Sequence, residues 1–174
     1  IFNEQSRLKS SFNHILIFLK KKKNFKIEII FVDDGSRDNT YILIKKFINS
    51  LKKFKVRNKI RIEVVRSKKN LGKGHALKLG VKKAKYNWIL TTDIDMSVSL
   101  FQINKWIKEK LINKKYLVYF GCRTHKKSIV KRNFLRKILG VIMGIVIVFI
   151  LNKKYSDTQC GYKLYKKSLA KKIF

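Results

Sequence analysis

Two pairs of aspartates draw attention first, because each follows a run of apolar and β-branched residues. Asp33-Asp34-Gly35-Ser36 ends the run KIEIIFVD, and Asp93-Ile94-Asp95 comes directly after the segment from Asn87 to Thr92. Adjacent acids at a strand end repel one another and need a compensating partner. As chemistry, the first pair offers carboxylates that accept hydrogen bonds from a nucleobase N–H or from ribose hydroxyls. As architecture, it is an acidic turn that Gly35 permits, with Ser36 capping the helix that follows. For the second pair, extended geometry puts residues i and i+2 on one face. Asp93 and Asp95 are therefore expected to converge on one hard cation, magnesium or manganese, which keeps coordination positions for diphosphate oxygens. An isolated D-x-D arises often by chance. One at a strand end, 59 positions after Asp34, is a stronger signal.

Cationic groups stand at comparable places. Asn70-Leu71-Gly72-Lys73-Gly74 joins two glycines to a lysine at a helix start, where backbone and ammonium can approach an anion. The spacing is not that of a Walker loop. Arg123 follows the segment from Tyr116 to Gly121, and its planar, permanently charged fork suits phosphate. In a chain this basic, a solvated surface charge is the competing reading for either residue.

The elements that must position these groups alternate. Leu8, Phe12, Ile15, Leu16 and Leu19 keep a helical period. Lys26–Asp33 reads as a buried strand, with Ser36 and Asp38 capping a helix whose inner face is Tyr41, Ile44, Phe47, Ile48 and Leu51. Ile60–Val65, Trp88–Thr92 and Tyr116–Gly121 read as further strands. Leu77, Gly80, Val81 and Ala84 mark one intervening helix, and Ile103, Trp106, Ile107 and Leu111 another. Repeated β-α units imply an α/β fold with a mostly parallel central sheet and helices on both faces. Ligands of such sheets bind beyond the carboxyl ends of the strands, where both acidic pairs fall.

Composition bounds the rest. The 174 residues are 45% hydrophobic, enough for one folded domain. The chain begins at Ile1 and stops in a helix-like run, so residues 1–174 read as a single domain cut short at both ends. Lys and Arg number 43 against 10 acids, a formal charge of +33. Nucleic acid, an anionic membrane and phosphorylated substrates are the partners such a charge suggests. The lysines are scattered rather than gathered in a stripe, and with abundant Asn and Ile and no Pro they also fit an AT-rich coding bias. Two cysteines, Cys122 and Cys160, make neither a disulfide framework nor a zinc cluster. His14, His75 and His125 show no ligand spacing, and Trp88 and Trp106 read as core aromatics. Ile138 to Leu151 is uncharged but only 14 residues long, short of the roughly 20 that span a bilayer. With the basic stretch before it, residues 131–151 read as a membrane-interface helix, with a core helix as the alternative.

In order, Asn3-Glu4, Val32-Asp33-Asp34-Gly35-Ser36, Asn70-Leu71-Gly72-Lys73-Gly74, Asp93-Ile94-Asp95 and Gly121-Cys122-Arg123 resemble the motifs of family 2 glycosyltransferases. Asp157-Thr158-Gln159-Cys160-Gly161-Tyr162-Lys163-Leu164 resembles the eukaryotic dolichyl-phosphate β-glucosyltransferase branch. The resemblance implies a GT-A-type fold and metal-dependent, inverting transfer of glucose from UDP-glucose to dolichyl phosphate, at the cytosolic face of the endoplasmic reticulum membrane. It also implies a membrane helix and a first strand ahead of Asn3. Met96-Ser97 departs from the branch, which tends to have Gly-Ala there.

The same resemblance implies roles. Asp34 and Glu4 would hold the uridine, with Asp33 supporting. Asp95 would ligate Mg²⁺ or Mn²⁺, with Asp93 on the ribose or the metal. Lys73 and Arg123 would meet the diphosphate, and Arg132 and Arg136 the acceptor phosphate, near Asp157 and Gln159. A phosphate monoester has a second pKa near 6, so the acceptor is nucleophilic without a dedicated base; Asp157 is the candidate if one is used. The rival within the superfamily is mannosyl transfer from GDP-mannose. The rival of another class is a basic nucleic-acid-binding protein. That rival lacks a recognition motif and leaves two acidic strand ends unexplained, so nucleic acid is not the expected partner.

Overall fold

The computed structural model describes residues 1–21, 25–53, 60–112, 115–123, 125, 128, 157 and 159–174. The basic stretch with Arg132 and Arg136, and the apolar segment 131–151, lie outside the described residues. Among the described residues, no helix is long and apolar enough to cross a membrane.

Helix α1 (Gln5–Lys21) leads into strand β1 (Ile27–Asp33), helix α2 (Thr40–Lys53) and strand β2 (Ile60–Arg66). β1 and β2 pair in parallel, with Ile27 opposite Ile60 and Asp33 opposite Arg66. The buried faces of α1 and α2 are those that periodicity predicts, whereas the later helix Gln102–Lys108 stops short of Leu111 and leaves Ile107 and Leu111 exposed. Leu8, Ile15 and Leu19 of α1 and Ile44, Phe47, Ile48 and Leu51 of α2 are buried together with Phe31 of β1. Phe12 stacks on Phe47 with ring centroids 4.0 Å apart, and Phe31 meets both edge-on. One polar residue joins the inner face of α1: the Ser11 hydroxyl is bonded to the Arg7 and Ile94 carbonyls.

The second half contains helix α3 (Lys73–Lys83), strand β3 (Trp88–Thr91), helix α4 (Gln102–Lys108), strand β4 (Val118–Phe120), strand β5 (Lys163–Lys166) and helix α5 (Lys167–Ile173). β3 and β4 do not pair directly. β5 lies between them and is antiparallel to both, with Leu164 opposite Leu90 on one side and Tyr119 on the other. Trp106, Cys160, Tyr162 and Leu164 form the buried cluster beneath this sheet. Of the two tryptophans expected in the core, only Trp106 is there. Trp88 is 37% exposed, because it opens the short β3 strand.

β1 is less buried than its apolar run predicts: only Phe31 and Asp33 are fully covered. The cause is a cavity of about 960 Å³ between the two sheets, lined by successive residues of β1 (27–32) and of β3 (88–91). Both faces of each strand contribute to it, so the strands meet the cavity along their edges. At the upper end of this edge Ile1 N donates to Val32 O and Asp34 N to Ile1 O, each at 2.8 Å.

Candidate active site

The cavity runs along β1 and β3 and reaches their carboxyl ends. Glu4, Asp34, Lys73, Asp93 and Asp95, from four separate segments, line it. The expected convergence of the acidic strand ends is thus observed, and each end is built differently.

At β1, Asp33 is fully buried below the cavity. Arg66 Nε lies 3.0 Å from Asp33 Oδ2, and another nitrogen of the same guanidinium donates to Ser36 O at 2.8 Å. The guanidinium also sits 4.5 Å over the Tyr41 ring. Arg66 therefore staples the acidic turn to the start of α2. Asp34 is 3% exposed, and its carboxylate accepts from Leu71 N (3.2 Å) and Gly72 N (2.7 Å). The glycine-lysine loop is therefore held to the first acidic strand end by its own amides. Gly35 is required where that loop passes. Its φ is +74°, and a Cβ would lie 2.6 Å from the Lys69 carbonyl carbon.

The Asn3-Glu4 segment is clamped to the same turn. Asn3 N donates to Ser36 Oγ, Glu4 N to Thr40 Oγ1 and Gln5 N to Asp38 Oδ2, while Arg37 N and Asn39 N donate back to Asn3 and Gln5. Asp38 also accepts from Thr40 N at 3.0 Å, as a helix-starting residue should. Ser36 serves Asn3 instead of the cap role expected of it. The Glu4 carboxylate faces Arg7, 3.2 Å away.

At β3 the expectation of an extended Asp-x-Asp is corrected. The strand stops at Thr91, and residues 93–96 form a turn closed by Met96 N donating to Asp93 O at 3.2 Å. Asp93 and Asp95 thus stand at two corners of a turn. Burial raises the Asp95 pKa, but hydrogen bonding from Ser97 and the nearby charges of Arg7 and Lys73 outweigh it and hold the carboxyl below its ordinary value. Lys73 Nζ sits 2.6 Å from Asp93 Oδ1. The other oxygen of Asp93 is walled by backbone: a Cβ at Gly161 would come within 2.2 Å of Oδ2. Hard oxygen donors that already attract an ammonium suit a divalent cation, so Asp93 and Asp95 fit the metal that the D-x-D pattern implies.

The other expected site residues lie apart. Arg123 and Asp157 form a bidentate pair, with Nε and a terminal guanidinium nitrogen 2.8 and 2.7 Å from the two carboxylate oxygens. The amides of Arg123 (2.7 Å) and Gln159 (3.2 Å) donate to the same carboxylate. Burial raises the Asp157 pKa, but these bonds and the guanidinium charge lower it further, to a net value below the ordinary one. A carboxylate held ionised by four donors is a poor proton acceptor. These contacts suit a positioning role for Asp157 better than that of a base, and they engage Arg123 with Asp157, outside the lining of the cavity. Gln159 enters through its backbone.

Sequence reasoning missed Arg7, Ser11 and Gly161. Arg7 acts on Asp95 by charge, Ser11 ties α1 to the turn at 93–96, and Gly161 makes room for Asp93. Only Gly161 had a signal, its place inside the string from Asp157 to Leu164.

Comparisons with known proteins place the fold and the family. The pattern of glycosyl transferase family 2 matches residues 1–174. A dolichyl-phosphate beta-glucosyltransferase of Dictyostelium discoideum is 32% identical over 99% of this chain and 54% of its own length. The Homo sapiens protein of that name is 31% identical, over 99% of this chain and 55% of its own length. The chain thus spans about half the length of these curated relatives. Among solved structures, S. aureus TarS 1–349 superposes with a TM-score of 0.53 at 16% identity, over 99% of this chain and 46% of its own. The Pyrobaculum calidifontis mannosyltransferase PcManGT, solved with GDP-Man and Mn²⁺, also gives 0.53, at 13% identity over 94% of this chain and 55% of its own. Similarity at that level speaks for the GT-A-type fold alone. With the ordered motifs, the cavity they line and a family match over its whole length, the chain belongs to glycosyl transferase family 2.

Proposed function

We propose that this chain is the donor-binding catalytic core of a dolichyl-phosphate β-glucosyltransferase. It would transfer glucose from UDP-glucose to dolichyl phosphate with inversion, using Mg²⁺ or Mn²⁺. The observation that carries the reading is the convergence of Glu4, Asp34, Lys73, Asp93 and Asp95 on one cavity at the strand ends. The relatives' names supply the sugar and the acceptor.

In this reading an oxygen of the acceptor phosphate forms a bond to the anomeric carbon. The bond from that carbon to the donor diphosphate breaks, and UDP leaves with the electron pair. No proton needs removal, because the acceptor is largely dianionic at neutral pH. Two anions must nevertheless approach each other. A divalent cation held by Asp95 and Asp93 would neutralise charge on the leaving diphosphate. Lys73 adds a mobile positive charge beside it, and Arg7 another near Asp95. Glu4 and Asp34, at the β1 side of the cavity, would take the uridine, Asp34 chiefly through the loop it orders. Arg132 and Arg136 remain the candidates for the acceptor phosphate on sequence alone. The basic stretch and apolar run of residues 126–151 would meet anionic headgroups, at the cytosolic leaflet of the endoplasmic reticulum.

Transfer of radiolabel to dolichyl phosphate tests the reading. UDP-glucose should be used in preference to GDP-mannose, and only with Mg²⁺ or Mn²⁺ present. Preference for GDP-mannose would transfer the assignment to the mannosyl rival, and full activity in EDTA would remove the metal.

A further inference from the structure

We propose that Lys73 is a resident counter-ion for Asp93, which must leave that carboxylate before a divalent cation can enter, and that its departure couples cation binding to donor binding. The inference rests on the reading that Asp93 and Asp95 hold the cation.

Three features of the site carry it. The first is occupancy: Lys73 Nζ sits 2.6 Å from Asp93 Oδ1. Oδ2 is the oxygen nearer the Gly161 backbone, 2.2 Å from where a Cβ on that residue would lie. Lys73 therefore occupies one oxygen of Asp93 and offsets its charge, so a cation arriving alone meets a carboxylate already paired. The second is anchoring. The loop carrying Lys73 is tied down at Leu71 and Gly72 by the buried Asp34 carboxylate. The lysine backbone is thereby fixed, while its four-carbon stem can rotate. The third is weakness. The side chains of Lys73 and Asp93 are 63% and 45% exposed, so water screens the pair and it can be broken.

An evicted ammonium beside a divalent cation is repelled and has lost its partner. A nucleotide diphosphate in the same cavity supplies a new one within reach of the same stem. Cation alone should bind poorly, and cation with diphosphate should bind well. By linkage the enhancement is reciprocal: the cation must improve nucleotide binding by the same factor.

Mn²⁺ binding, read from the electron paramagnetic resonance of free Mn²⁺ with and without UDP, tests this independently of turnover. Without UDP, Lys73→Met should bind Mn²⁺ about three- to fivefold more tightly than wild type, the scale of an exposed ion pair. Lys73→Arg, which keeps the charge, should resemble wild type. With UDP present, the mutual enhancement between Mn²⁺ and UDP should fall at least about threefold in Lys73→Met. The lysine is exposed, so a folded variant is expected, and circular dichroism verifies it. If Lys73→Met binds Mn²⁺ no more tightly than wild type while Asp95→Asn abolishes binding, the counter-ion role is overturned and the cation site stands. If Asp95→Asn binds Mn²⁺ normally, the cation reading itself fails and the inference with it.

Discussion

The two acidic strand ends look alike in sequence and differ in almost every physical respect. Asp33 and Asp34 are 0% and 3% exposed. Their charges are met by Arg66 and by two loop amides that belong to the protein. Asp93 and Asp95 line the cavity, and the charges near them are the exposed Lys73, paired with Asp93, and Arg7, which acts on Asp95. A buried carboxylate that already has donors is committed to architecture, because withdrawing any of them leaves a charge without compensation. An accessible carboxylate partnered by one mobile ammonium is available to a ligand. The first pair builds the floor and the loop, and the second faces the cavity with partners that solvent reaches.

Substitutions should separate these roles. Asp95→Asn should lower transfer on the order of a hundredfold or more, the scale of lost electrostatic stabilisation at a reacting centre. Its melting temperature should stay close to wild type; a large fall would place Asp95 with the architectural pair. Asp34→Ala should do the reverse in stability, losing about 2 kcal/mol in denaturant melts as the amides of Leu71 and Gly72 lose their acceptor. It should also weaken UDP binding at least about tenfold by calorimetry, or roughly 1.4 kcal/mol, through the released loop. Unchanged UDP affinity would remove Asp34 from donor binding.

Gly161→Ala probes the wall behind Asp93. The added methyl would collide with Oδ2 and swing the carboxylate away, so Mn²⁺ affinity should fall about tenfold, as for residues that orient a metal ligand. Binding equal to wild type would mean that Asp93 contributes nothing to the cation. The smallest effect concerns acid. Asp157 has a folded pKa below its ordinary 3.8, so its ion pair stabilises the fold fully above that value. That contribution is lost as pH falls through the lower folded value. Arg123→Met should reduce stability at neutral pH and flatten this acid-side slope in melts between about pH 4 and 2; an unchanged slope would mean the pair contributes no net stability.

Much of this was legible in the residues. Ile44, Phe47, Ile48 and Leu51 announce their buried face by spacing alone, and β1, β2 and β3 begin and end within a residue or so of their apolar runs. Five expected site residues share one cavity because the carboxyl ends of β1 and β3 both reach it, as the α/β pattern leads one to expect. What stayed hidden depends on partners far along the chain. β5 has only four residues, lysine at each end, and it is a strand because Leu90 and Tyr119 flank it from some 70 and 45 positions away. Arg123 and Asp157 read as two separate site residues until their side chains are seen to neutralise each other. The turn at 93–96 replaces an extended pair because one backbone bond, from Met96 to Asp93, closes it, and no periodicity encodes that.

The cavity between β1 and β3 has a consequence in the language of templates. Among the described residues, β1 pairs only with β2 and β3 only with β5, and both strands line the apolar space between them. The two bonds between Ile1 and the Val32–Asp34 segment set Ile1 opposite Asp33 in the pattern of a parallel ladder. Any extended segment continuing that ladder has its direction and register prescribed: it runs alongside β1, and each step back from Ile1 faces the residue one step back from Asp33. Polypeptide backbone alone can read that address, whatever side chains it carries.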